Sequence, residues 1–273
     1  MCYMSDKKRI LFVTQEMNPY TVLSEISDKV RNLAPFFQNK GFEIRVLMPK
    51  YGLINERRHR LHEVVRLSGM NIIVDDDDFP LIIKVASLPG SRLQVYFLDN
   101  EEFFKRKFVF SDAEEKPFED NQDRMVFFCK GVIETVKKFG WPPDIIHCSG
   151  WFTSLVPLYL KKVYHNDPVF DASKIVYSVY PESYSAEFTE RFFEIAAIND
   201  LTKDDLAAYK DGDKPTLNAG AMSHSDAIIN DSSTLDTSDE KIWSKLELPK
   251  LDYIEDLDEH CNSSLEFFNQ LLS

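Results

Sequence analysis

Trp141-Pro-Pro-Asp-Ile-Ile-His-Cys-Ser-Gly-Trp-Phe-Thr-Ser-Leu-Val-Pro-Leu-Tyr-Leu-Lys161 decides how this chain folds. Asp144 to His147 reads as a strand buried on both faces, because its apolar residues run together instead of alternating. A short polar loop follows at Ser149 and Gly150. Leu155, Leu158 and Tyr159 then fall at helical spacing, on one face. A buried strand that feeds a helix is the repeating unit of a parallel α/β sheet.

The same unit opens the chain. Ile10-Leu-Phe-Val13 has strand length and no polar break. After the loop Thr14 to Thr21, Ile26, Val30, Leu33 and Phe37 mark one helical face, with Ser24 as the expected N-cap. Pro35 is expected to kink this helix, and Gly41 to end it. Glu43 to Met48 is the next strand. Strand, helix and strand within this distance form a right-handed βαβ unit. Further strands are expected at residues 71–74, 81–86, 93–98, 175–180 and 227–230. A helix at about 121–139, with Met125, Phe128, Val132, Val136 and Phe139 on one face, should stop at Gly140. The fold class is therefore α/β, a Rossmann-like three-layer sandwich with a mostly parallel central sheet. Residues 236–260 are rich in Asp and Glu and read as a surface connection. Residues 262–272 read as a terminal helix packed back through Leu265, Phe268 and Leu272.

Composition narrows the function. The formal charge of -13 repels nucleic-acid backbones and anionic lipid, so neither is an expected partner. The content of 44% apolar residues suffices for a core. Cys2, Cys129, Cys148 and Cys261 form no C-x-x-C pair and have no metal-ligand spacing with histidine, so neither a metal nor a cofactor is expected. Buried reduced thiols imply a cytoplasmic protein. Nothing reads as a signal h-region or a membrane span. Asp75-Asp-Asp-Asp78 lacks the alternating spacing of a calcium loop and reads as a solvated hairpin tip. The acidic pairs Glu119/Asp120 and Asp204/Asp205 have no partner base nearby in sequence and receive no acid–base role.

The 141–161 segment resembles the sugar-site segment of bacterial glycogen and starch synthases, "PDVVHAHDWHTALVPLYLK". Residues 8–20 are similar to that family's "KVLFVASEVAPF" and residues 41–52 to "GHDVRVLMPRYG". Residues 98–106 are similar to "LDHPEFFDR", residues 120–128 to "DNAERFAFF", and residues 216–230 to "NFLKGGILFADRVTTVS". The resemblance covers nearly the whole chain but only the N-terminal, acceptor-side half of these GT-B glycosyltransferases. It implies a synthase-like domain over 1–245 and a C-terminal extension with a short helix over 246–273.

Three reactive elements of the family differ here. Its phosphate loop "KTGGLAD" aligns with Val22-Leu-Ser-Glu-Ile-Ser-Asp28, of which only Asp28 matches. Side chains on Ser24 and Glu25 occupy space that two glycines leave for close backbone approach, and Glu25 has the wrong charge for a diphosphate. Its "HAHDWHT" segment keeps His147, Trp151 and Thr153 but reads Ser149, Gly150 and Phe152 elsewhere. Its strand-end "FTVHNLAYQG" has Tyr180 at the His position, within Tyr177 to Tyr184. Glu16 matches the family's "SE" and reads either as a ligand contact at the carboxyl end of the sheet or as a polar loop residue. Trp151 reads as a sugar platform or as packing, and His147 as a core histidine.

Together these differences imply no catalytic residue on this chain. The candidate ligand-binding residues are Glu16, Asp28, His147, Trp151 and Thr153. The chain is also expected to end where the donor-binding domain would begin. The expected function is a non-catalytic, synthase-like domain with an α-glucan or a protein as partner. Two alternatives remain: one half of a split ADP-glucose-dependent transferase completed by a separately encoded donor domain, and a purely structural interaction protein.

Overall fold

The structure, a computed structural model, describes residues 7–182, 188–211 and 214–273. Cys2 and the end of the Tyr177 to Tyr184 segment lie outside them. In chain order the first half holds β1 (Arg9–Thr14), α1 (Ile26–Asn39), β2 (Glu43–Pro49), α2 (Glu56–His59), β3 (His62–Glu63), β4 (Met70–Val74), β5 (Asp77–Ser87), β6 (Gln94–Asp99), α3 (Glu101–Phe104) and α4 (Asn121–Phe139). The second half holds β7 (Ile145–Ser149), α5 (Leu155–Lys162), β8 (Lys174–Val179), α6 (Glu190–Ala196), β9 (Lys210–Asp211), β10 (Lys214–Pro215), α7 (Leu217–Ser223), β11 (Ala227–Asn230), α8 (Thr237–Lys245), β12 (Lys250–Leu251) and α9 (Leu257–Leu271).

The main sheet has the order β12-β11-β8-β7-β1-β2-β6-β5-β3, with β4 paired to β5. From β12 to β6 every pairing is parallel, and β5 turns the far edge antiparallel. All described core residues of β1 and β7, from Ile10 to Thr14 and from Ile145 to Ser149, are buried. That is why these strands read as unbroken apolar runs. One helical layer pairs α1 with α9; the other runs through α4, α5, α7 and α8. The chain moves from β1 towards β6 on one side and from β7 towards β12 on the other. The order therefore reverses between β1 and β7, and open α/β sheets bind ligands beyond the strand ends at such a reversal.

Several expectations hold with small shifts. α1 runs through Pro35 without a break, with Val30, Leu33 and Phe37 inward. Gly41 follows at φ +99°, and Gly140 ends α4 at φ +58°, conformations that suit glycine. Glu25, not Ser24, holds the N-cap position of α1, but the Ser24 hydroxyl, which donates to Glu16, also accepts the N–H of Ile26 at 3.3 Å. The Asp75 to Asp78 run is a hairpin tip only at Asp75 and Asp76, since Asp77 and Asp78 pair with Val74 and Ile73. No metal-holding cluster occurs among the described residues.

The acidic stretch 236–260 is more ordered than its composition suggests. It contains α8, the edge strand β12 and the first turn of α9, whose N-cap Asp256 accepts from the Glu259 N–H at 2.8 Å. α9 docks through Phe268, with its ring 4.9 Å from Phe37 and 5.5 Å from His147. Cys129, Cys148 and Cys261 are buried free thiols. Among the described residues, no helix is long and apolar enough to cross a membrane.

Candidate functional site

The loops leaving the carboxyl ends of β1, β7, β8 and β11 meet at the reversal. Glu16, two residues past β1, is fully buried. One carboxylate oxygen accepts the Leu23 N–H at 2.5 Å and the Ser24 N–H at 3.0 Å; the other accepts the Ser24 hydroxyl at 2.6 Å. Burial raises its pKa, and these donors act against that rise. The β1–α1 loop thus closes on its own anion. Beyond this tie, Val22 and Leu23 stand 59% and 47% exposed, an apolar tip instead of a cationic one.

Between β1 and β7 the crevice is filled. Gly150 has φ +87°, and a Cβ there would lie 2.4 Å from the Gln15 side-chain oxygen. The same oxygen accepts the Phe152 N–H at 3.3 Å. Phe152 is fully buried and stacks on Phe128 at 5.5 Å, with Phe110 at 5.4 Å. Trp151 is also buried, with its ring 4.7 Å from the Phe110 ring. Thr153 is buried and donates its hydroxyl to the Gly150 carbonyl at 2.8 Å, an internal turn bond. His147 is buried, with Nε2 2.6 Å from the Ser178 hydroxyl, and burial lowers its pKa to about 4. Asp28 lies apart, exposed in the first turn of α1, where it accepts from the Asn18 amide at 2.7 Å. The structure therefore gathers Glu16, Trp151, Thr153 and His147 around the strand ends, but in internal roles, and leaves Asp28 outside.

A buried ionic group completes the edge. Asp231, just after β11, takes Lys29 of α1 and His260 of α9 on one oxygen, each at 3.4 Å. Tyr180 donates its hydroxyl to the other at 3.2 Å. Burial opposes the Asp231 charge, but His260 and Lys29 outweigh it and hold the carboxyl below its ordinary range. Lys29 also lies 4.8 Å over the Tyr253 ring. Lys29, in the first turn of α1, is thus committed within the chain. Next to this group, Asn218 receives the Tyr177 hydroxyl at 2.7 Å and donates to Asp239 at 2.7 Å and to the Tyr180 carbonyl at 2.8 Å. Its N–H donates to Glu182 at 2.7 Å. Burial raises Glu182 to about 7 and Asp239 to about 6. Gln15, Lys29, Asp231 and His260 were not singled out from sequence, since they join positions up to two hundred residues apart.

Residues 9–238 match the model of the starch synthase catalytic domain. The chain belongs to the starch synthase catalytic domain family. It is 35% identical over 225 residues to a glycogen synthase of Chlorobium limicola, covering 82% of this chain and 45% of that protein. It is 34% identical over 246 residues to a glycogen synthase of Chlorobaculum tepidum, covering 90% of this chain and 49% of that protein. The chain thus spans about half the length of these curated relatives. The catalytic domain of starch synthase IV from Arabidopsis thaliana, solved bound to ADP and acarbose, superimposes with a TM-score of 0.73 at 18% identity. That match covers 91% of this chain and 51% of that one, and it shows the shared fold.

Gly150→Ala should destabilise the fold by about 1–3 kcal/mol, from a left-handed alanine and the contact with Gln15. Adding Gln15→Ala should recover only the contact share; urea unfolding of both variants measures the split. Glu182 gives a pH dependence. Its folded pKa of about 7 lies above the ordinary 4.5, so its contribution is full below 4.5 and is lost as pH rises through 7. Glu182→Gln keeps an acceptor for the Asn218 N–H. It should be more stable than the parent at pH 8, by on the order of 2 kcal/mol, and equal to it at pH 4.5. Unfolding curves at both pH values provide the comparison.

Proposed function

We propose that this chain is a non-transferring member of the starch synthase family. In this reading it binds an α-glucan or a protein partner in cytoplasmic glycogen metabolism and does not move glucose from a nucleotide-sugar. The observation that carries the reading is the Glu16 carboxylate on the Leu23 and Ser24 N–H groups. A diphosphate bound at a loop after a first strand needs free backbone donors and nearby positive charge. Here the loop donors hold a carboxylate, Val22 stands at the family's Lys position, and Lys29 is held by Asp231. An incoming diphosphate would have to displace a buried anion and then lie beside it, which like-charge repulsion opposes.

The acceptor side supports the same reading. The family's Asp position and the last His position of its HAHDWHT segment hold Gly150 and Phe152, whose surroundings are filled by Gln15 and aromatic rings. Tyr180, at the His position of the strand-end element FTVHNLAYQG, is bound to Asp231. Exposed Val22 and Leu23 form an apolar tip suited to a protein surface or the face of a sugar ring. The second reading, one half of a split ADP-glucose-dependent transferase, is favoured by the 35% and 34% identity to curated glycogen synthases.

Calorimetric titration with ADP-glucose, UDP-glucose and maltoheptaose, each alone, separates the readings. The proposal expects no heat of binding from either nucleotide-sugar. Maltoheptaose binding identifies the glucan form, and silence from all three identifies the protein-partner form. Saturable binding of a nucleotide-sugar contradicts the proposal and supports the split transferase.

A further inference from the structure

On the helical layer, α7 and α8 enclose a groove of about 430 Å³. Lys241 and Lys245 line one wall, one turn apart on α8, and Lys210 faces them from the end of the 207–209 turn. No carboxylate lines the groove among the described side chains, in a chain whose formal charge is -13. Lys210 reaches Glu190 at 3.2 Å. Neither Lys241 nor Lys245 forms an ion pair among the described side chains. Two like charges at i and i+4 on a helix repel each other unless something of opposite sign lies between them.

Two further features point the same way. α8 begins without a side-chain cap, and Thr237 and Ser238 at that end line the same groove. Uncapped N–H groups and two hydroxyls therefore join the lysines in one concave space. Ala219 and Ile242 provide an apolar floor. The volume suits a ligand of hexose size and is too small for a polymer strand.

We propose that the α7–α8 groove binds a phosphomonoester, with Lys241 and Lys245 holding the phosphate dianion and the apolar floor taking the organic group. Lys210 is shared with Glu190 and contributes less. The Thr237 and Ser238 end of the groove adjoins the loops after β8 and β11, and none of its lining residues belongs to the loops after β1 and β7.

The test follows the backbone amide resonances of Thr237 and Ser238 in the full chain at low salt, titrated separately with inorganic phosphate, a hexose 6-phosphate and the free hexose. Both anions should shift these amides saturably, the hexose should not, and added salt should weaken the effect. Tighter binding of the ester than of phosphate supports a role for the floor; equal binding supports the anion contacts alone. Lys241→Ala/Lys245→Ala, two exposed positions, should weaken the ester at least tenfold while the amide spectrum elsewhere stays folded. No shift at millimolar anion overturns the proposal, as does a double variant that binds as well as the parent.

Discussion

A carboxylate buried at the end of the first strand must be met by donors, and Glu16 finds three within eight residues of itself. An uncompensated charge at that depth would cost several kcal/mol. The β1–α1 loop therefore folds inward around it. This closure places Ser24 against Glu16, starts α1 at Ile26 and turns Val22 and Leu23 outward. It also sets Gln15 towards β7, where it packs against Gly150 in space that a Cβ would share. The chemistry of the reversal point follows from how this one charge is satisfied.

The neighbouring strand ends follow the same physical logic. Asp231 is buried and draws one group from each of three elements: Lys29 from α1, Tyr180 from the end of β8 and His260 from α9. Such a group ties α9 to the sheet and occupies side chains that could otherwise face a ligand. Asn218 does the same for α7 and α8 through Glu182 and Asp239. The strand-end face of this starch synthase family member is thus internally bonded over much of its length. The α7–α8 groove differs because Lys241 and Lys245 have no ion-pair partner among the described side chains.

Much of the fold was legible because core periodicity is local. β1, β2, α4 and the glycines that end α1 and α4 follow from spacing and left-handed caps. The acidic stretch 236–260 was harder, since a charged composition hides the burial of Asp239 and the pairing of β12 with β11. The start of α9 did leave a local sign, Asp256 three residues before Glu259. At the candidate site, His147 read as core and Trp151 as either packing or a sugar platform, and the structure buries both. Glu16 stood open between ligand contact and loop residue, because a sequence does not show where backbone N–H groups point. The Gln15–Gly150 contact and the Asp231 group join distant segments, so no local pattern announced them.

The most direct test of the central claim is the behaviour of the Leu23 and Ser24 backbone amides with and without ADP. If Glu16 holds this loop, both amides exchange slowly with solvent, their resonances lie downfield as expected for carboxylate-bonded N–H groups, and saturating ADP leaves them unchanged. Fast exchange in the free protein, together with a saturable shift on adding ADP, would show that the donors are free for a diphosphate and would contradict the account.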